Sequence, residues 1–139
     1  MTANRRARGA LLLLVGTLVS WLPVTAAPRL RCQVDQGGVT RVLEFQPVAD
    51  PYGVEAIPIN DRFGFKAVLV GDARRVAYVK IYVYARALRQ PVLLHLVKYL
   101  DPVAQPDPAA SALTGLNFVY SPPLEQELQY GCALAEVAP

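Results

Sequence analysis

His95 is the only histidine in the chain and Met1 the only methionine, while cysteines stand at positions 32 and 132. A transition-metal site would have to rest on one imidazole and carboxylates, a poor ligand set for zinc or copper. Nucleophilic catalysis would pair His95 with Ser111 or Ser121, but neither serine lies in a G-x-S-x-G elbow and both sit in proline-bearing segments. His95 is flanked by Leu94 and Leu96, the setting of a hydrogen-bonded core histidine. Carboxylate chemistry has two candidate pairs: Glu125 with Glu127, which alternation would place on one side of a strand, and Asp101 with Asp107, around a proline-rich stretch. Paired acids for glycoside hydrolysis need a cleft and a defined separation, and the spacing supplies neither. No glycine-rich phosphate loop leads from a strand into a helix. The expectation is a non-enzymatic chain with no catalytic residues, no metal and no cofactor; an enzyme with an unrecognised carboxylate site is the outlying alternative.

The stretch "YVKIYVY" (78–84) offers a different chemistry, that of recognition. Ala77, Val79, Ile81, Val83 and Ala85 form an aliphatic set at odd positions, while Tyr78, Lys80, Tyr82, Tyr84 and Arg86 occupy the even ones. On a strand these two sets face opposite ways, so the odd set is expected in the core and the even set outside. Tyrosine presents a flat apolar body with a wet hydroxyl, and a lysine stem covers apolar surface while its amine stays in solvent. The candidate binding residues are Tyr78, Lys80, Tyr82, Tyr84 and Arg86, joined by Lys98 and Tyr99 from the following strand. Which of the latter two shares the face depends on register, because a one-residue slip exchanges the faces. The competing reading is that the tyrosines are cross-strand packing pairs, worth up to about 1 kcal/mol each.

The elements that must position these residues are strands. Period-two patterns recur at 30–34, 39–45, 63–70, 75–85, 90–100, 116–120 and 125–135, with no heptad or internal repeat. "DQGG" (35–38) reads as a hairpin turn, and Gly71-Asp72 as another. Pro47, "DPYG" (50–53) and Pro58 predict an irregular connection with one short edge strand. "DPVAQPDPAASALTG" (101–115), with three prolines, predicts a long surface loop. Single helical turns are expected at 108–113 or 123–128. Leu128, Tyr130, Cys132 and Leu134 share one face of the last strand, turning Cys132 inward.

About seven strands with few helix signals predict an all-β fold, a small antiparallel β-sandwich, immunoglobulin-like or a partly open barrel. Residues 1–26 read as a cleaved secretory signal peptide: Arg5, Arg6 and Arg8, an apolar run from Ala10, then Pro23 and small residues with Val24 and Ala26 before the cut. Residues 27–139 would then be a single sandwich domain carrying the proline-rich loop at 101–115, exported to the periplasm or secreted, with no integral membrane segment left after cleavage. In that compartment Cys32 and Cys132 are expected to form one disulfide joining the first and last strands.

Three of the fourteen basic residues lie in the leader, which leaves eleven Lys and Arg against eleven Asp and Glu. The basic pI is therefore no argument for nucleic acid or an anionic membrane, either of which needs a clustered positive excess. The leading expectation is an exported binding or accessory protein that recognises an envelope or extracellular macromolecule through its tyrosine face. The alternative is an inhibitor that inserts the 101–115 loop into a hydrolase cleft. An early and a late cysteine in a small exported β-domain resembles proteinaceous inhibitors of lysozymes and proteases in architecture alone.

Overall fold

The computed structural model describes residues 26–138, so the expected leader, apart from Ala26, lies outside the described residues. Alternation builds the first hairpin. β1 (Ala27–Gln36) turns Leu30, Cys32 and Val34 inward and leaves Arg31 and Gln33 exposed. It returns as β2 (Val39–Phe45) through Gly37-Gly38, whose φ values of 63° and 77° are the left-handed pair that a two-residue hairpin turn demands. Two short strands follow, β3 (Pro47–Val48) and β4 (Ile57–Ile59). Asn60 and Asp61, both with positive φ, then close a second tight hairpin into β5 (Phe63–Gly71), with the Arg62 N–H donating to the Ile59 carbonyl at 3.1 Å. β6 (Val76–Ala85) and β7 (Val92–Leu100) continue as an antiparallel meander. β8 (Leu116–Ser121), a 3-10 turn at Pro122–Leu124 and β9 (Gln126–Val137) complete the chain.

The strands form two sheets, ordered β2-β1-β9-β8 and β3-β5-β6-β7, with β4 also paired to β5. This is the expected all-β sandwich, with nine strands instead of seven. The two extra strands come from the proline-bearing connection: β3 and β4 cap the outer edge of β5, and Pro47 and Pro58 fit there because that edge leaves amides unpaired. The helical turn falls at Pro122–Leu124, overlapping the start of the 123–128 segment expected to hold it.

One core joins the sheets, with Phe65 from the second packed edge-on to Tyr130 from the first at 5.3 Å between ring centroids. Cys32 and Cys132 stand directly opposite in the β1–β9 ladder and are disulfide-bonded, with Cα atoms 4.1 Å apart. The Cys132 N–H donates to Thr114 Oγ1 and its carbonyl accepts from Leu113 N–H, so neither group faces β1. The cysteines thus occupy a non-hydrogen-bonded pair, the position where opposed Cα atoms come closest. The disulfide links the first and last strands, as expected, by tying neighbours within one sheet.

The proline-rich loop is a fitted element. β8 pairs with β9 only as far as Gly131. Beyond it the loop takes over the β9 edge: Gln105 N–H donates to the Leu134 carbonyl at 3.0 Å and the Gln105 carbonyl accepts from Glu136 N–H at 2.8 Å. The loop then crosses the outer side of β9, where Gly131, Ala133 and Ala135 are small and buried. A Cβ on Gly131 would lie 2.8 Å from Ser111 Cβ, so glycine is what lets the loop approach.

The expected inward set on β6 needs one correction. Val79, Ile81, Val83 and Ala85 are fully buried, but Ala77 is exposed and Val76 is buried in its place. The β5–β6 register slips between Val70 and Gly71, which pairs Gly71 with Val76 and resets alternation by one residue.

Candidate functional site

Burial of the odd β6 positions turns Tyr78, Lys80, Tyr82 and Tyr84 onto the outer face of the second sheet, as expected. Register sets their neighbours. Tyr78 lies between Val70 and Leu100, Lys80 between Val68 and Lys98, Tyr82 between Lys66 and Leu96, and Tyr84 between Gly64 and Leu93.

The Tyr82 and Tyr84 rings are parallel within 5°, with centroids 6.2 Å apart. Lys66 Nζ lies 5.4 Å from the centre of the Tyr82 ring, and Lys98 and Lys80 lie 4.5 Å and 5.7 Å from that of Tyr78. Each ammonium therefore rests near an aromatic face, a contact worth about 0.5–1 kcal/mol at exposed sites. Lys80 and Lys98 are cross-strand partners, an arrangement in which like charges repel. At the corner, Arg86 lays its stem over Gly64, where a Cβ would stand 3.0 Å from Arg86 Cδ. Lys66, Tyr84 and Arg86 line a shallow pocket there with Ala56 and Pro91. Burial, then the neighbouring Tyr82, pushes the Tyr84 phenol above its ordinary pKa, so it remains a neutral hydrogen-bonding group.

Lys66, Lys80 and Lys98 are all the lysines of the chain. β5, β6 and β7 contain no Asp or Glu, and the salt bridges among the described residues, Arg31–Glu44 and Arg75–Asp101, lie off this face. The described residues, with eleven basic and eleven acidic side chains, thus concentrate the lysines on one side.

Tyr99 does not join the others. It pairs with Val79 and packs against the core, and burial raises its pKa. The ladder slips again between Val83 and Tyr84, so Leu93 and Leu96 both reach the outer face and Leu94 turns toward the core. Lys66, Leu96 and Leu100 belong to the face without having been assigned to it. The signal for Lys66 was its position as the one charged residue in "FGFKAVLV".

The residues weighed for catalysis are dispersed. His95 is half-buried and its Nε2 lies 2.8 Å from Tyr130 Oη, with burial lowering the imidazole pKa. Asp101 pairs with Arg75. Ser111 packs behind Gly131, and the buried Ser121 Oγ has no hydrogen-bond partner among the described residues. Glu125 and Glu127 do not share a strand face, because Glu125 precedes β9 with a left-handed φ of 51°. No cluster of three or more His, Cys, Asp or Glu is placed to hold a metal among the described residues. No protein-family model matches the chain, nor does any curated protein or solved structure.

Proposed function

We propose that the chain is an exported, non-enzymatic binding protein that recognises an envelope or extracellular macromolecule or assembly through Tyr78, Lys80, Tyr82 and Tyr84, with Lys66, Lys98 and Arg86 around them. The observation that carries this reading is the gathering of every lysine and three tyrosines on one carboxylate-free sheet face. Tyrosine supplies large contact area at low entropic cost, and unpaired cations select an acidic partner. The Cys32–Cys132 disulfide fits an oxidising compartment. Among the described residues, no helix is long and apolar enough to cross a membrane.

Chemical cross-linking of the exported protein in envelope extract, beside a Tyr82→Ala, Tyr84→Ala variant with unchanged circular dichroism, tests the reading. A saturable adduct lost in the variant is the expected result. The same adducts from both proteins, or no adduct to envelope protein, glycan or lipid from either, would overturn it.

A second reading, inhibition of a hydrolase by the 101–115 loop, draws on one observation. Pro106, Asp107, Ala109 and Ala110 are exposed while hydrogen bonds at Gln105 and Leu113 pin the flanks to β9. A pre-ordered loop loses little entropy on binding. Replacing residues 106–110 should abolish inhibition of a lysozyme or protease target and spare the fold; a panel in which no such enzyme is inhibited excludes this reading.

A further inference from the structure

We propose that the outer face of β5, β6 and β7 seats on an anionic lipid bilayer, with Lys66, Lys80 and Lys98 against the headgroup phosphates and Leu93, Leu96 and Leu100 toward the acyl-chain boundary. The proposal rests on the reading of this face as the binding surface and names what it binds. Sequence composition offered no clustered positive charge. Folding creates it, by bringing three lysines from three strands onto one carboxylate-free surface.

Three features favour a bilayer over an acidic protein or polysaccharide. The cores of protein interfaces favour arginine and are depleted in lysine, whereas here three lysines lie among the rings and the one arginine sits at the corner. A lysine ammonium is compact and strongly hydrated, and it stays in headgroup water while its stem covers apolar surface. Tyrosine has the same dual nature and concentrates at membrane interfaces. Finally, Leu93, Leu96 and Leu100 are 48%, 50% and 69% exposed in outward positions beside Tyr84, Tyr82 and Tyr78. A hydroxylated polysaccharide offers these leucines no apolar depth, and a bilayer does. The surface is an open sheet face and matches a planar partner. Association would be peripheral, through side chains of a face that keeps its backbone hydrogen bonds within the sheet.

The test expresses the full-length chain, collects the exported protein and sediments it with two kinds of vesicle. One is phosphatidylcholine alone; the other carries phosphatidylglycerol at about 30%. Binding is expected only with phosphatidylglycerol and should fall steeply as salt rises. The Lys66→Gln, Lys80→Gln, Lys98→Gln variant should weaken it on the order of a hundredfold. A second measurement keeps all three lysines. Trp21 is the only tryptophan of the chain, so a Leu100→Trp substitution places a reporter on the face, and Val42→Trp places one on the other sheet. Emission should shift to the blue on vesicle addition at position 100 and stay unchanged at 42. No sedimentation, or binding indifferent to the lysines with no shift at position 100, overturns the proposal. If envelope cross-linking still depends on Tyr82 and Tyr84 in that case, the binding face stands and its partner is an acidic protein or polysaccharide. If that dependence is lost too, both readings fail.

Discussion

His95 and Tyr130 show how much one contact decides. The leucines around His95 mark it as a core residue, and the structure supplies its partner, a tyrosine hydroxyl 35 residues away in sequence. Removing that hydroxyl with Tyr130→Phe leaves the imidazole nitrogen half-buried and unpaired. The expected cost is about 1 kcal/mol in urea unfolding. Burial lowers the imidazole pKa in the folded state, so below the unfolded value of about 6.5 the unfolded chain binds a proton that the folded chain refuses. Stability should therefore fall as pH drops through about 6.5 and level off only once the lower folded pKa is passed. His95→Gln retains a partner for Tyr130 and removes this titration. Its thermal midpoint should vary less between pH 7 and about pH 5 than that of the parent; equal slopes would show that another group controls this window.

Among the elements, β6 was the most legible, because five aliphatic residues alternate with tyrosine and lysine. Its inner and outer sets agree with period two except at Ala77, where the Gly71 slip intervenes. β7 was the least legible, because both of its faces are apolar; its register with β6 decides that Tyr99 turns inward while Leu96 and Leu100 turn out, and the slip at Val83/Tyr84 brings Leu93 out as well. The 101–115 loop read as a free surface segment, yet it completes the β9 edge. That role predicts that Gly131→Ala, whose Cβ would meet Ser111, lifts the loop and costs about 1–3 kcal/mol through overpacking. Amide exchange at Gln105 and Leu113 should accelerate in the same variant. A variant with parental exchange rates would show that the loop accommodates the methyl group.

At the scale of the whole molecule, the disulfide and the charge distribution matter most. Tying β1 to β9 closes a separation of 100 residues, and breaking it should destabilise the fold by about 2–5 kcal/mol. Cys32→Ala, Cys132→Ala should unfold at correspondingly lower denaturant than the oxidised parent, and reductant should move the parent's midpoint toward the variant's. Coincident midpoints for all forms would mean that the β1–β9 ladder holds the ends together unaided. The charge distribution works in the opposite direction from composition: the described residues carry eleven basic and eleven acidic side chains, but the lysines collect on one side of the sandwich.

The amino-acid order by itself determined the strand class, the principal strands, the inward cysteines and the outward tyrosines of β6. All of these follow from side-chain alternation and turn chemistry, which are local. Tertiary structure alone decided the strand order, the two register slips and the lysine cluster. Those depend on which residues stand opposite one another across strands distant in sequence, and a one-residue slip is enough to exchange a sheet's two faces.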